Sequence, residues 1–472
     1  MVWNLADHAD RVAVIDEQGN RYTYSVLSDE SEAIASLVQS GRCLVFCLCQ
    51  NEIGSLAGYL GFVNHRIVPV LVDAHLDRAL LTSLRDTYKP DYLWVPEEMA
   101  SEFADCTIVY GNLKYALLKT KDTHAFSLHD DLALLLTTSG STGSPKLVRQ
   151  TYANIIANTK SIVEYLALDE TERPITTLQM NYTYGLSIIN THMWVGASLI
   201  LTQKTLMQRE FWQQFKEYEA TSFGGVPYTY EMLEKLRFFR MDLPSLRTMT
   251  QAGGKLSPEA HHRFAEYAMN TGRHFVVMYG QTEATARMAY LPWQKSLEKY
   301  GSMGIPIPGG KFSIIDVDGN VITEPEITGE LVYEGPNVTM GYATCGEDLS
   351  KDDEWKGRLV TGDMAKFDAD GYYYITGRKK RFLKIFGSRV NLDETERLVK
   401  SAYPELDCVC GGVDDKMYVF VTDAEKLNEI RLFLAEKLNF HSSAFSVQHI
   451  DAVPRNDAGK VQYNKLEAYY QK

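Results

Sequence analysis

The sequence predicts an α/β protein: two blocks of alternating strands and helices, then a small β-rich piece and a small C-terminal domain. Three observations predict it. From Arg11 to Thr250 apolar strand-like runs alternate with amphipathic helix-like runs, and a second block of this kind runs from near Thr151 to near Leu291. After Gly304 come short runs, KFSIID, ELVYEG, RLVTGD and YYYITG, cut by Gly, Asp and Pro turns. Beyond Gly377 a charged run, RKKRFLK, leads into a new helical pattern at NLDETERLVKSAY.

Strands that alternate with helices build a mainly parallel sheet with helices on its faces. The run CLVFCLC reads as a buried strand, Gly54 to Phe62 as a helix, IVPVLVD as a second strand and Leu76 to Thr87 as a second helix. The short runs after Gly304 predict a small antiparallel sheet or β-barrel. Asp393 with Glu396 three residues on has the spacing of a helix-start capping box. A domain boundary is expected at Arg378 to Lys384. It leaves residues 1–377 as an N-terminal domain and 378–472 as a C-terminal one of roughly 90 residues, a size that can fold alone.

Hydrophobic residues make up 45% and charged residues 23% of the 472, the balance of a globular chain. The formal charge is -13 and no broad positive stripe is present, which argues against a nucleic-acid partner. The seven cysteines have no metal-ligand spacing, and Cys43, Cys47 and Cys49 read as inert thiols of a buried strand. The start, MVWNLADHADR, lacks the basic and apolar regions of a signal peptide. The longest apolar segment, near Gly54 to Val72, is broken by Asn64, His65 and Arg66, so no membrane span is expected. A reduced cytoplasmic setting is the expectation.

Chemistry concentrates in five segments. In LALLLTTSGSTGSPKLV an apolar strand runs into Thr138, Ser139, Gly140, Ser141, Thr142, Gly143 and Lys146, a loop rich in hydroxyls and glycines that can wrap phosphate oxygens. It is not the kinase-type P-loop, because Pro145 rather than Gly precedes the lysine. In VVMYGQTEATAR a strand delivers Met278, Tyr279, Gly280, Gln281, Thr282 and Glu283, an aromatic ring for a base, a hydroxyl for a phosphate and a carboxylate for Mg²⁺. LVTGD ends at Asp363, which could accept two ribose hydroxyls; Arg378 stands at the domain junction; and Lys460 follows Gly459 near the C-terminus. Taken singly, each is as easily a surface loop or a solvated charge.

In this order, TSGSTGSPK, YGQTE, TGD, the GR…K…GSRV…E block and the terminal GK resemble the adenylate-forming superfamily of acyl- and aryl-CoA synthetases, luciferases and peptide-synthetase adenylation domains. The resemblance implies two α/β subdomains and a small β-barrel, followed by a small mobile α+β domain. It implies an ATP-dependent acid–thiol ligase. Thr138 to Gly143, with Lys146, would close over the β- and γ-phosphates. Gly253 and Gly254 would flank the adenine with Tyr279, Thr282 would bond the α-phosphate, Glu283 would hold Mg²⁺, and Asp363 and Arg378 would bind ribose. Lys460 matches the lysine of the adenylation step, Lys380 the hinge, and Gly387 a tunnel for the acceptor thiol of CoA or of an acyl carrier protein's phosphopantetheine.

The pattern also departs from the family's. Leu147 stands where Gly commonly follows the loop lysine, Tyr152 and Tyr182 stand for frequent histidines, and Tyr463 or Asn464 for an arginine. Amino-acid-activating members carry an Asp at the position of Gly185, so an aryl or short acyl acid is expected in place of an α-amino acid. Its pocket would comprise Tyr182, Tyr184, Gly185, Phe223, Gly224, Met278 and Met288, with Arg287 as a candidate polar pole. An amino-acid–carrier-protein ligase and a catalytically inactive nucleotide-binding scaffold stay open as alternatives.

Overall fold

A computed structural model of the chain describes residues 2–38, 41–137, 146–379, 381–386, 388–438, 440–456, 459 and 461–470. They fall into two compact units: the larger holds residues up to 137, 146–311 and 333–359, and the smaller holds 312–332 and those from 360 onward.

The larger unit is built on two sheets, as the alternating pattern requires. In the first, strands Leu132–Thr137, Val68–Asp73, Leu44–Cys49 and Tyr92–Pro96 lie side by side and parallel, with antiparallel strands added at both edges. Leu44–Cys49 is buried at every position, the signature of a central parallel strand covered on both faces. Burial pushes the Cys49 thiol up to about 12 and the Cys47 thiol well above its usual range, so these thiols are unreactive. In the second sheet, Ser222–Gly225, Thr248–Gln251 and His274–Tyr279 run parallel, followed by antiparallel Ala289–Tyr290 and Ile305–Pro306. Their register pairs Gly225 with Gln251 and Gln251 with Val277, so the three parallel strands end along one edge. Loops outside the carboxyl ends of such strands are where α/β folds place ligands.

The helix predicted over Gly54 to Phe62 spans Ile53–Asn64 and is buried from Ile53 through Val63. It lies that deep because it carries glycine where it meets the sheet. A Cβ at Gly58 would stand 2.3 Å from the Trp94 indole nitrogen, which itself donates to the Gly54 carbonyl at 2.9 Å.

In the smaller unit the β-rich piece is a five-stranded sheet of order Val321–Ile322, Lys311–Ile315, Gly329–Glu334, Arg358–Phe367 and Tyr373–Arg378. Among the described residues it is open. The closed barrel of the sequence expectation is corrected to an open sheet, since its end strands pair with one neighbour each. The C-terminal part is α+β: strands Cys408–Val413, Lys416–Val421 and Phe445–His449 with helices Leu392–Ala402 and Leu427–Leu438. The capping box does not form. Asn391 caps the helix, its Oδ1 accepting from the Asp393 and Glu394 amides. Asp393 and Glu396 turn instead to the buried Arg381 guanidinium, at 2.6 and 2.5 Å. An unpaired buried cation costs more than a lost cap, and it takes both carboxylates. No helix of the described residues is long and apolar enough to cross a membrane.

Replacing Gly58 with Ala should destabilise the larger unit by about 1–3 kcal/mol through overpacking. Urea unfolding followed by tryptophan fluorescence measures it, and an unchanged midpoint would refute the close approach.

Candidate active site

The strand His274–Tyr279 delivers its motif through a reversal of the chain. A Cβ on residue 280 would lie 1.7 Å from the Ala286 carbonyl oxygen, so only glycine lets the returning segment pass. The Met288 amide closes the return on the Tyr279 carbonyl at 2.8 Å. Within the turn Thr285 holds φ at +65°, rare for a β-branched residue. It is held there because Thr183 donates to its carbonyl while its own hydroxyl donates to the Asn337 carbonyl. Backbone held away from its preferred region by surrounding bonds concentrates at functional sites. Tyr279 to Glu283 stay half-exposed, and Ala284 to Ala289 are buried.

Glu283 does not stand alone. Its Oε1 accepts the Tyr342 hydroxyl at 2.7 Å, and the Lys146 ammonium sits 3.1 Å above the centre of the same ring. Trp355 packs edge-on against Tyr342 at 5.0 Å, and the Thr339 amide donates to the Glu283 carbonyl at 3.0 Å. Burial, then the charge of Glu283, pushes the Tyr342 phenol up, so it stays a donor. Lys146 and Glu283, far apart in sequence, are thus joined through one aromatic ring. Sequence reasoning missed Tyr342 and Asn337, because their contacts span 59 and about 50 residues and leave no local pattern. Among the described residues no three acidic, His or Cys side chains group as a metal cage. Mg²⁺ asks for less: one or two carboxylates and the oxygens of a phosphate. Glu283, half-exposed and with one oxygen fixed, fits that demand.

At the next strand end Gly253 takes φ of +82° and Gly254 leaves 3.0 Å between a Cβ position and the Pro227 ring. The buried Gln251 amide pins this loop, donating to the Gly254 carbonyl at 2.9 Å. Thr282 heads the short turn after Gln281, whose amide reaches the Tyr279 hydroxyl at 3.3 Å.

A small cleft of about 30 Å³ lies beside these strands, lined in part by Ile162, Ile188, His192, Phe223, Gly224 and Arg287. Tyr184 fills the space over Gly224: a Cβ there would meet Ile188 at 2.9 Å and the Tyr184 hydroxyl at 3.0 Å. That hydroxyl pairs with Thr250 Oγ1 at 2.8 Å, and the Arg287 guanidinium lies 3.8 Å over the Tyr184 ring. Tyr182 caps the helix Thr183–Trp194 and meets Tyr184 edge-on. Met278 is buried and its sulfur accepts from Tyr165 at 3.1 Å; Met288 is buried on the returning segment. At Gly185 any side chain would strike the Gln179 carbonyl oxygen, 2.3 Å from the Cβ position.

In the smaller unit Asp363 and Arg378 are cross-strand partners, 3.7 Å apart, with the Asp363 amide donating to Thr361 Oγ1 at 3.1 Å. Near the C-terminus Gly459, at φ of +73°, donates to the Asn456 carbonyl at 2.7 Å, and Arg455 bridges to Val461. The expectations for Thr138, Ser139, Gly140, Ser141, Thr142, Gly143, Lys380, Gly387 and Lys460 lie outside the described residues.

Known proteins resemble this chain in sequence and in fold. Peroxisomal OPC-8:0-CoA ligase 1 of Arabidopsis thaliana is 29% identical over 347 residues, covering 70% of this chain, which spans 63% of that protein's length. The 2-succinylbenzoate–CoA ligase of Bacillus licheniformis is 30% identical over 356 residues, 73% of this chain and 72% of its own. The fold is that of the O-succinylbenzoate coenzyme A synthetase of Bacillus subtilis in complex with AMP, at a TM-score of 0.79 and 22% identity, over 98% of this chain and 97% of that one. The AMP-binding enzyme family matches residues 1–343. With its motifs at the carboxyl ends of the parallel strands and that match over most of its length, the chain belongs to the AMP-binding enzyme family.

Proposed function

We propose that the chain is an AMP-forming acid–thiol ligase that activates a carboxylic acid with ATP and passes the acyl group to CoA. The observation that carries this reading is the Glu283 carboxylate at the strand end, fixed by Tyr342 with Lys146 on the far side of that ring. A lysine and a carboxylate held across one ring suit a triphosphate and its cation. Mg²⁺, when bound, would neutralise charge on the phosphate oxygens. Around it the chain's own groups do the positioning: Thr282 bonds the α-phosphate, Lys146 and Thr138 to Gly143 hold the outer phosphates, Tyr279, Gly253 and Gly254 flank the base, and Asp363 and Arg378 hold the ribose.

In the first step a carboxylate oxygen attacks the α-phosphorus and the bond to pyrophosphate breaks. In the second a thiolate attacks the acyl carbon and AMP leaves. Lys460 stabilises the charge that develops in the first step. Residues 378–472 turn as a domain on Lys380 between the steps, so that the loop at Gly387 lines the thiol's route. CoA as acceptor is supported by relatives that are named CoA ligases. A carrier protein's phosphopantetheine presents the same thiol, and the two acceptors are separated by assaying each. The packing at Gly185 argues against an α-amino acid, since a carboxylate side chain for its ammonium has no room there.

A cation about 4 Å from developing charge is worth roughly a thousandfold in rate at intermediate dielectric. Lys460→Ala should therefore reduce acid-dependent pyrophosphate–ATP exchange by that order while sparing thioester formation from preformed acyl-adenylate. Equal loss of both half-reactions in a folded variant would remove the assigned role. Tyr342→Phe keeps the ring beneath Lys146 and removes only the hydroxyl on Glu283. Partners that orient a metal-holding carboxylate are worth about 10–100-fold in metal affinity or activity. The Mg²⁺ concentration for half-maximal exchange should rise accordingly, and an unchanged value would disconnect Tyr342 from the cation.

A further inference from the structure

Three arginines of the described residues are buried: Arg149, Arg287 and Arg381. Arg149 has Glu354 at 2.8 Å and the carbonyls of Met340 and Lys351; Arg381 has Asp393 and Glu396. Arg287, 3% exposed, has no carboxylate within 4.0 Å among the described residues, and its Nε–H finds no acceptor. A guanidinium cannot shed its proton, so this is a fixed positive charge without a counter-charge in a dry wall. Its described compensation is neutral: the face of Tyr184, 3.8 Å away, and the Tyr165 phenol, which feels the Arg287 charge and hydrogen bond.

The charge faces the small cleft described above. Arg287 lines the cleft beside the strands, and among the lining residues the other titratable side chain is His192. His192 donates from Nδ1 to the Ile188 carbonyl at 2.7 Å, and burial pulls its pKa down to about 4, so it is neutral. The surrounding phenols are neutral too: burial pushes Tyr182 and Tyr184 up to about 12, against the opposing pull of Arg287. The main chain that carries the guanidinium is fixed as well. The Arg287 carbonyl accepts from Asn158 at 3.0 Å and from Asn337 at 2.9 Å, and both asparagines are buried. A preorganised, desolvated cation next to neutral donors is complementary to an anion, and it repels an ammonium.

We propose that the acid taken by this cleft carries a second anionic group, a terminal carboxylate or sulfonate, that pairs with Arg287 while the first carboxylate is activated. The inference rests on the acid-activating reading above and narrows it to short dianionic acids. A simple aryl or acyl tail would offer the guanidinium no counter-charge.

The test uses the full chain and matched pairs: succinate against butyrate, glutarate against pentanoate, and 3-sulfopropionate to separate a sulfonate preference from a carboxylate one. Pyrophosphate–ATP exchange gives kcat/KM, and titration calorimetry gives binding without ATP. A charged hydrogen-bonded pair predicts a preference for the dianion of roughly tenfold to a hundredfold. Arg287→Met should collapse that ratio, and Arg287→Lys should retain part of it. Exchange or binding that favours butyrate and pentanoate overturns the proposal, as does a dianion preference that persists in Arg287→Met. Dianion binding lost in Arg287→Met, but without exchange for any acid, keeps the anion site and removes the adenylation reading. Failure of every dianion in both assays overturns the proposal.

Discussion

The Ala286 carbonyl oxygen lies where a Cβ on residue 280 would stand, and the site in the larger unit depends on that overlap. Because residue 280 is glycine, the chain leaving the strand His274–Tyr279 can double back on itself within a few residues. The reversal sorts the motif by depth: Glu283 stays at the half-exposed rim, and Arg287, four positions later, is buried in the wall of the cleft. A looser turn would leave both at one depth, and one segment could not present a rim carboxylate and a buried guanidinium together.

Electrostatics then assigns the roles. At the rim, Glu283 shares its charge with a phenol and keeps access to water, where a carboxylate and a cation cost little to hold apart. In the wall the dielectric is low, where a buried guanidinium without a counter-charge is costly. The contrast with Arg149 and Arg381 is physical: those two fasten structure, one gathering the segment around Glu354 and the other drawing Asp393 and Glu396 inward. Arg287 has no such acid beside it among the described residues, which is why a receptor role is proposed for it.

Supporting groups come from far along the chain. Tyr342, Asn337 and Thr339 lie on the segment 333–359, which belongs to the larger unit though it follows residues of the smaller one. Their hydrogen bonds hold the strained Thr285 and orient Glu283, so the segment acts as a brace behind the motif.

By itself the sequence determined the main elements and which residues were candidates for chemistry local to them. Alternating apolar runs sufficed for the buried strand Leu44–Cys49 and its neighbours, because strand burial depends on a run's own composition. Short motifs sufficed to single out Thr282, Glu283, Asp363 and Arg378 as candidates, because the residues of each motif are adjacent in sequence. Tertiary structure alone decided the rest. It opened the sheet that was expected as a barrel, moved the helix cap from the Asp393–Glu396 pair to Asn391, placed Tyr342 on Glu283, and left Arg287 without an acid. Each of these is settled by what stands within about 4 Å across the fold, where Coulomb and hydrogen-bond energies are decided, and a one-dimensional pattern does not encode that distance.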